Sequence, residues 1–547
     1  MYFSFKKKII LILRILRLLN LAYIFFDILK LIVDKDYKCF SEKVKKLKYI
    51  KNEMVINNNK DSRVLMLGFS EFNTILLQTS QIISIKKLGY KIIVILSSPS
   101  LVIEKLYKKL GVDSFTYYHD YLNRGYHKTL FTIFNKNLSQ SAFLNLKYNG
   151  VEVGKISMST LMRKKLVSRF DIQGTDRNLV TQALSQSMFF SDFAEKIISK
   201  FKPKMIFFMD RGYTPEGEIF NLSIKKKIPA IELHVGHKSG LLIFKKYFFK
   251  NKNMHYASLS KKTWNLVKKL PIKNKKKHVL DELSSCYKKG SWYDEVGTQF
   301  NKRKFSKKEF FKKYKLNPKY KTVVIFSHIF WDATFFFGND IFFDYQEWLI
   351  QTIKILSLNK KINCLIKLHP AHSVKNKRNK KIGSFERKVI YEELKGLPNH
   401  IKIIDYNDEI TTLSLLKHID YCITVRGTVG IEAACLGIPV LLAGTGRYDN
   451  LGFTIDHKNK GEYFNSLLNI EKIKKNSNKK IELAIKYAYT LLFERNIVTK
   501  TLNFEYMKDS NATLNVKIND DLKNIKDLKE ISNLTNWFQN KNEDFLN

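Results

Sequence analysis

Cysteine is scarce in this chain, and so is negative charge. Five cysteines, Cys39, Cys286, Cys364, Cys422 and Cys435, are scattered over 547 residues without a C-x-x-C pair. A disulfide scaffold is therefore excluded, and an odd number with three thiols in apolar runs reads as reduced core residues of a cytosolic protein. Asp and Glu number 50 against 96 Lys and Arg, a formal charge of +46. That imbalance suits an anionic membrane surface, a polyanionic glycan or a nucleic acid. The same Lys-, Asn- and Ile-rich composition also follows from a proteome-wide bias, and runs such as Lys275 to Lys277 read as solvated. Neither a zinc finger nor an RNP-type aromatic motif interleaves with the lysines, so a nucleic-acid partner is set aside. The chain lacks G-x-G-x-x-G, which disfavours a nicotinamide or flavin dinucleotide site, and it shows no repeat at solenoid periods.

A long uninterrupted apolar run is also missing. Ile9 to Val33 comes nearest, but Arg14, Arg17, Asn20, Asp27 and Lys30 interrupt it. At ~100° per residue these five share one side of a helix, leaving Leu, Ile and Phe on the other. Spanning a bilayer would bury two arginines and an aspartate at about 2.5 to 3.5 kcal/mol each near the centre. No h-region or small-residue cleavage site marks a signal peptide. Residues 1–35 are therefore expected to form an amphipathic helix on the inner face of the cytoplasmic membrane, aided by Lys6, Lys7 and Lys8. The alternative is a helix docked on the protein's own core.

What is present suffices for two or three domains, with 44% hydrophobic and 13% aromatic residues. Residues 36–60 read as a polar linker. Residues 61–250 carry β-α-β patterning, with strands at Arg63 to Leu67, Lys91 to Leu96, Lys204 to Met209 and Ala230 to Leu233. Phe115 to Arg177 reads as loops with helical pieces. A basic helical connection is expected over 251–320. A second α/β unit occupies 321–470, and 471–547 reads as a helical carboxyl-terminal region. Two Rossmann-like domains facing across a cleft follow from this order, an α/β fold of glycosyltransferase B type.

Ligands of such sheets bind at the carboxyl edge of the strands. Two loops there suit a nucleotide: Lys367-Leu368-His369-Pro370, and Thr424-Val425-Arg426-Gly427-Thr428-Val429-Gly430-Ile431-Glu432. Gly427 and Gly430 allow a tight turn, Thr428 suits a helix cap, and the helix amino terminus with Val429 offers N–H groups to a phosphate. Lys367, His369 and Arg426 add donors, with a structural ion pair the alternative for Arg426, and Glu432 is placed to hold a ribose. In the first domain, Asp210-Arg211-Gly212-Tyr213-Thr214-Pro215-Glu216 follows a strand and suits an acceptor, with Gly212 and Tyr213 as contacts. Asp210, Glu216 and Asp332 are candidate bases, although each carboxylate equally suits a cap or an ion pair. Tyr213 and Trp331 are expected to stack on sugar or base. The H-x-x-H pairs His369/His372 and His234/His237 lack a companion carboxylate or Cys triad, so neither a metal nor another cofactor is expected.

His328-Ile329-Phe330-Trp331-Asp332-Ala333, Glu347-Trp348-Leu349, Lys367-Leu368-His369-Pro370 and Gly427 to Glu432 through Gly437-Ile438-Pro439-Val440 and Gly444 resemble, in order and spacing, bacterial capsule polysaccharide biosynthesis proteins. Those are glycosyltransferase-B-like enzymes whose His-Pro motif is related to that of Kdo transferases and bacterial sialyltransferases. Gly212 to Gly217 is similar to the family's Tyr and Pro loop, and Ser291-Trp292-Tyr293 to its inter-domain aromatic motif. Arg211 departs from the histidine expected there. The resemblance implies sugar transfer from an activated nucleotide donor, CMP- or UDP-linked, to a surface polysaccharide or its lipid-linked acceptor at the cytoplasmic membrane; in the loops themselves His369 is the residue expected to serve the leaving phosphate, without a metal. Its implied partners are the nucleotide sugar, the glycan or glycolipid acceptor, the anionic inner membrane surface and other capsule assembly proteins. The alternatives are a catalytically silent glycan-binding or assembly subunit and a sugar-nucleotide epimerase-like enzyme.

Overall fold

Apolar runs of four to six residues become buried parallel strands wherever helices cover both faces of a sheet. The computed structural model describes residues 18–48, 50, 62–121, 138–289, 302–372, 375–376, 383–506, 514–519 and 528–547. Lys6 to Lys8, Arg14, Arg17 and Ser291 to Tyr293 lie outside them. In the first domain the strands are β1 (Arg63–Leu67), β2 (Lys91–Leu96), β3 (Ser114–Tyr117), β4 (Ile206–Phe208), β5 (Ala230–Val235) and β6 (Leu241–Tyr247). The second holds β7 (Lys321–Phe326), β8 (Ile362–Lys367), β9 (Ile401–Ile404), β10 (Tyr421–Thr424), β11 (Val440–Leu442) and β12 (Ile455–Asp456). A later strand, β13 (Asn496–Val498), returns to the first sheet.

The sheet orders are β13-β6-β5-β4-β1-β2-β3 and β12-β11-β10-β7-β8-β9. Every pairing in the second sheet is parallel. In the first, β1 to β5 run parallel, while β6 pairs antiparallel with β5 and β13. The expected two-domain α/β architecture is thus the observed one. Strands β6 and β13 went unread in the sequence. Phe115 to Arg177 supplies β3 and the helices Gln140–Leu144 and Val153–Lys165, and the next helix, Arg177–Phe201, covers one face of the first sheet.

The stretch read as a linker contains the helix Lys35–Lys46, capped by Asp34, whose carboxylate accepts from the N–H groups of Asp36 at 3.0 Å and Tyr37 at 3.1 Å. Tyr37, Phe40, Val44 and Leu47 line its inner face at helical spacing, a signal that the lysines between them hid.

The preceding helix, Leu19–Val33, docks by its polar side. Asp27 is 6% exposed and accepts from Tyr37 Oη, from Ser100 Oγ at 3.2 Å and from Leu101 N at 2.8 Å. Asn20 Oδ1 lies 2.6 Å from His119 Nε2. The helix is thus docked on the first domain, by Asp27 and Asn20 and with Leu31 packed against its core.

Past residue 471 the chain contributes more than helices. The helix Asn478–Tyr489 packs on the second domain, β13 joins the first sheet, β14 (Leu502–Tyr506) and β15 (Leu514–Ile518) form a ribbon, and the helix Lys529–Gln539 covers the first domain. Asp544 fastens this end. It pairs with Lys245 Nζ at 2.8 Å and accepts from Ser260 N at 2.7 Å, all in a fully buried setting beside Arg495.

Candidate functional site

The loops after β7, β8 and β10 open side by side at the carboxyl edge of the second sheet. His369 Nδ1 accepts from Ala371 N at 3.2 Å, which leaves the ring proton on Nε2. Burial, then the charges of Lys375 and His372, push this imidazole down to about 3, so it is a neutral donor at physiological pH. His328, from the β7 loop, accepts from Val425 N at 3.3 Å, lies 3.1 Å from Thr424 Oγ1 and stacks on Tyr345 with centroids 4.6 Å apart. It couples the β7 and β10 loops.

After β10 the helix Thr428–Cys435 begins, and Gly427 is its cap residue with extended backbone. Thr428 is therefore the first helical residue instead of the cap, and its Oγ1 accepts from Arg447 Nη2 at 3.0 Å. Neither glycine adopts a positive φ. Gly430 serves close approach: a methyl there would collide with the Tyr448 hydroxyl, which donates to Gly427 O at 2.6 Å. Gly427, Thr428 and Val429 are half-buried. The first N–H groups of a helix have no intrahelical acceptor, so this end presents a site of positive potential.

Three sequence-selected donors and acceptors sit deeper than expected. The Arg426 guanidinium is consumed by Tyr345 Oη at 2.8 Å, Thr445 O at 3.0 Å and an ion pair with Asp340, and burial lowers it to about 10. It is structural, because no water-facing edge remains after those contacts. Lys367 turns its ammonium to Asp405 O at 2.7 Å, and burial foremost pushes it down to about 7. Glu432 is 3% exposed, close enough to Cys422 and Cys435 that its charge adds to burial in raising both thiols.

Across the interface, Asp210 Oδ1 accepts from Arg211 N at 2.7 Å and Oδ2 lies 3.5 Å from Arg163 Nη1. Burial, aided by Glu232, outweighs Arg163 and raises the Asp210 carboxyl. Glu216 opens the helix Glu216–Lys225, and burial followed by the charge of Asp210 carries it up to about 8. Tyr213 crosses between domains. Its hydroxyl donates to Asp332 Oδ1 at 3.2 Å and accepts from Ala333 N at 3.0 Å, while Arg163 lies over its ring at 4.5 Å. Asp332 also pairs with Lys375. Burial alone would raise Asp332, but Lys375 and Arg163 hold it well below the usual carboxylate range.

The expected sugar-stacking contacts are corrected in part. Trp331 is buried in the core shared with the first domain and has Lys375 over its ring at 5.1 Å, so its faces are taken. Gly212 leaves room for Phe336, since a methyl would collide with that ring. Arg211, found in place of the expected histidine, is buried among Phe220, Tyr247 and Phe337, pairs with Glu232 at 3.4 Å and donates to Met254 O at 2.6 Å. It secures the crossing between domains.

Sequence reasoning missed Arg163 and Lys375, which flank Asp332 from the two domains, and Arg447 beneath the helix terminus. Arg163 gave no signal, lying in a stretch read as irregular. Among the described residues no group of three His, Cys, Asp or Glu is placed to hold a metal. His372 is instead paired with Glu386 at 2.6 Å.

Two Rossmann-like sheets with facing loop edges, a His-Pro loop beside a helix amino terminus on one and a carboxylate cluster on the other, make this an α/β protein of glycosyltransferase-B-like architecture. Residues 252–475 match the profile of the family described as capsule polysaccharide biosynthesis protein. The kinship read from the motifs holds over that stretch, which carries the His328, His369 and Gly427 loops but not the Tyr213 loop. No curated protein matches the chain. Among solved structures it is similar to the beta Kdo 2,4 transferase of Thermosulfurimonas dismutans KpsC, with 14% identity over 52% of this chain and 79% of that one and a TM-score of 0.31. The beta Kdo 2,7 transferase of the same protein gives 15% identity, 54% and 79% coverage and 0.31. The UDP-GlcNAc 2-epimerase from Neisseria meningitidis bound to UDP-GlcNAc gives 13%, 79% and 99%, and 0.26. At these values the architecture rests on strand order and loop placement.

Proposed function

We propose that the protein is a glycosyltransferase of capsule-type polysaccharide synthesis. It moves a sugar from a nucleotide-activated donor to the growing glycan or its lipid-linked acceptor at the cytoplasmic membrane. The observation that carries this reading is that the His369 and Gly427 loops open on either side of the β7 loop, whose Asp332 meets Tyr213 and Arg163 of the first-domain edge that also holds Asp210 and Glu216. In this reading the donor phosphate lies at the helix terminus and receives a hydrogen bond from His369 Nε2–H, which strengthens as the leaving oxygen gains charge. Glu432 serves the ribose. Ionised Glu216 takes the proton of the acceptor hydroxyl as that oxygen attacks the anomeric carbon. The bond from that carbon to the phosphate oxygen breaks with its electron pair leaving on the phosphate. Asp332, held ionised and already bound by Tyr213 and Lys375, is a poor base and acts as an interdomain clasp. No step is assigned to a metal.

A thermal-shift panel of CMP- and UDP-sugars tests this. One donor class should raise the melting temperature, His369→Ala should weaken that donor's affinity by about 10-fold or more, and transfer should survive a chelator. Absence of any response to nucleotides and nucleotide sugars would sink the reading.

A further inference from the structure

Helix Leu19–Val33 is built inside out for a soluble protein. Leu21, Phe25, Ile28, Leu29 and Ile32 are all exposed, Phe25 at 58% and Ile32 at 73%. At ~100° per residue they occupy a sector of about 100° on the side opposite Asp27. The polar residue that would oppose lipid is thus spent on Tyr37, Ser100 and Leu101, and the apolar stripe faces outward. The next helix in the chain exposes Lys35, Lys38, Lys43, Lys45 and Lys46. A second copy of a chain with charge +46 would meet like charge there, whereas anionic headgroups would meet the opposite sign. Among the described residues no helix is long and apolar enough to cross a membrane.

From these observations we infer that the outward face of helix Leu19–Val33 inserts into the surface of an anionic bilayer, with the Asp27 clasp holding the acceptor-side domain against that surface. This deepens the proposed transfer at the membrane and rests on it for the identity of the nearby site. The helix touches His119 through Asn20 and through Tyr23, whose ring centroid is 4.9 Å from that of His119. His119 follows Tyr118, whose phenol is pushed up to about 12 by burial and then by the charge of Glu216. Tyr118 and His119 follow β3 and Glu216 opens the helix after β4, so all three belong to the carboxyl edge of the first sheet.

The test is flotation of the full chain with phosphatidylglycerol-containing vesicles and with pure phosphatidylcholine vesicles, on wild type and a Phe25→Asp, Ile32→Asp double variant. Wild type should float with the anionic vesicles and be released by salt. The double variant should bind at least about tenfold less with an unchanged melting temperature, since both positions face outward. Phe25→Trp, which keeps the apolar surface, should gain quenching by brominated lipid. Equal flotation of wild type and double variant would overturn the inference. So would a Trp that gains no quenching, or a dimer of the non-floating wild type that the double variant abolishes. The nucleotide-sugar thermal shift of the double variant should stay as in wild type. Its loss from wild type removes the transferase reading and leaves the lipid measurement standing.

Discussion

Glu216 and Asp332 are both carboxylates at the domain interface, and their surroundings drive them in opposite directions. Glu216 has burial and the charge of Asp210 against it and rises to about 8, whereas Asp332 has Lys375 and Arg163 beside it and falls. A base must be ionised to act, so transfer is expected to increase with pH through a limb near 8, where Glu216 loses its proton. Glu216→Gln should lower kcat by about 10²- to 10⁴-fold and remove that limb. A retained limb in the pH–rate profile would reassign the base. His369 and the glycine loop were legible because each follows an apolar strand in a parallel sheet, where chain order dictates the edge. Arg426 was legible as a residue but not as a role, since only the fold reveals Asp340 and Tyr345 closing around it. Arg163 was invisible. Its neighbours Asp210 and Asp332 lie 47 and 169 positions away in the chain, and no local pattern spans such distances.

At the scale of elements, the helix Thr428–Cys435 owes its position to the missing side chain of Gly430 as much as to its capping. Gly430→Ala would press a methyl against the Tyr448 hydroxyl and should cost about 1 to 3 kcal/mol, measured by urea unfolding. Adding Tyr448→Phe should return part of that loss by removing the obstructing oxygen. A Gly430→Ala protein as stable as wild type would discard this account of the glycine. The sequence did carry the apolar positions Tyr37, Phe40 and Val44 of the helix Lys35–Lys46, but intervening lysines depress any average over the window. Strand β6 was missed for a different reason: its antiparallel return adds an edge to a sheet whose other crossovers announced parallel pairing.

For the molecule as a whole, the two domains are held by contacts that sequence order alone does not suggest. Arg169 forks onto Asp344 at 2.6 and 2.9 Å, and Tyr213 reaches Asp332. The carboxyl-terminal end closes the assembly through Asp544. Burial would raise this carboxyl, yet Lys245 and Arg495 hold it well below the usual range. Its contribution is thus complete above the unfolded carboxylate pKa of about 3.9 and is lost as pH falls below that value. Asp544→Ala, which strands Lys245 in the interior, should cost about 3 to 5 kcal/mol in denaturant unfolding. An unchanged midpoint would show that the pair is compensated elsewhere.

The return of β13 to the first sheet sets an order of events during synthesis. The ribosome releases β1 to β6 before any of the second domain, yet the neighbour of β6 is Asn496–Val498. Until those residues emerge, β6 presents an open edge of unpaired backbone groups, the kind that recruits other chains. The amino-terminal domain is begun first and completed only after the second, so from Tyr247 until Asn496 is made a nascent chain of this protein needs protection along that single strand.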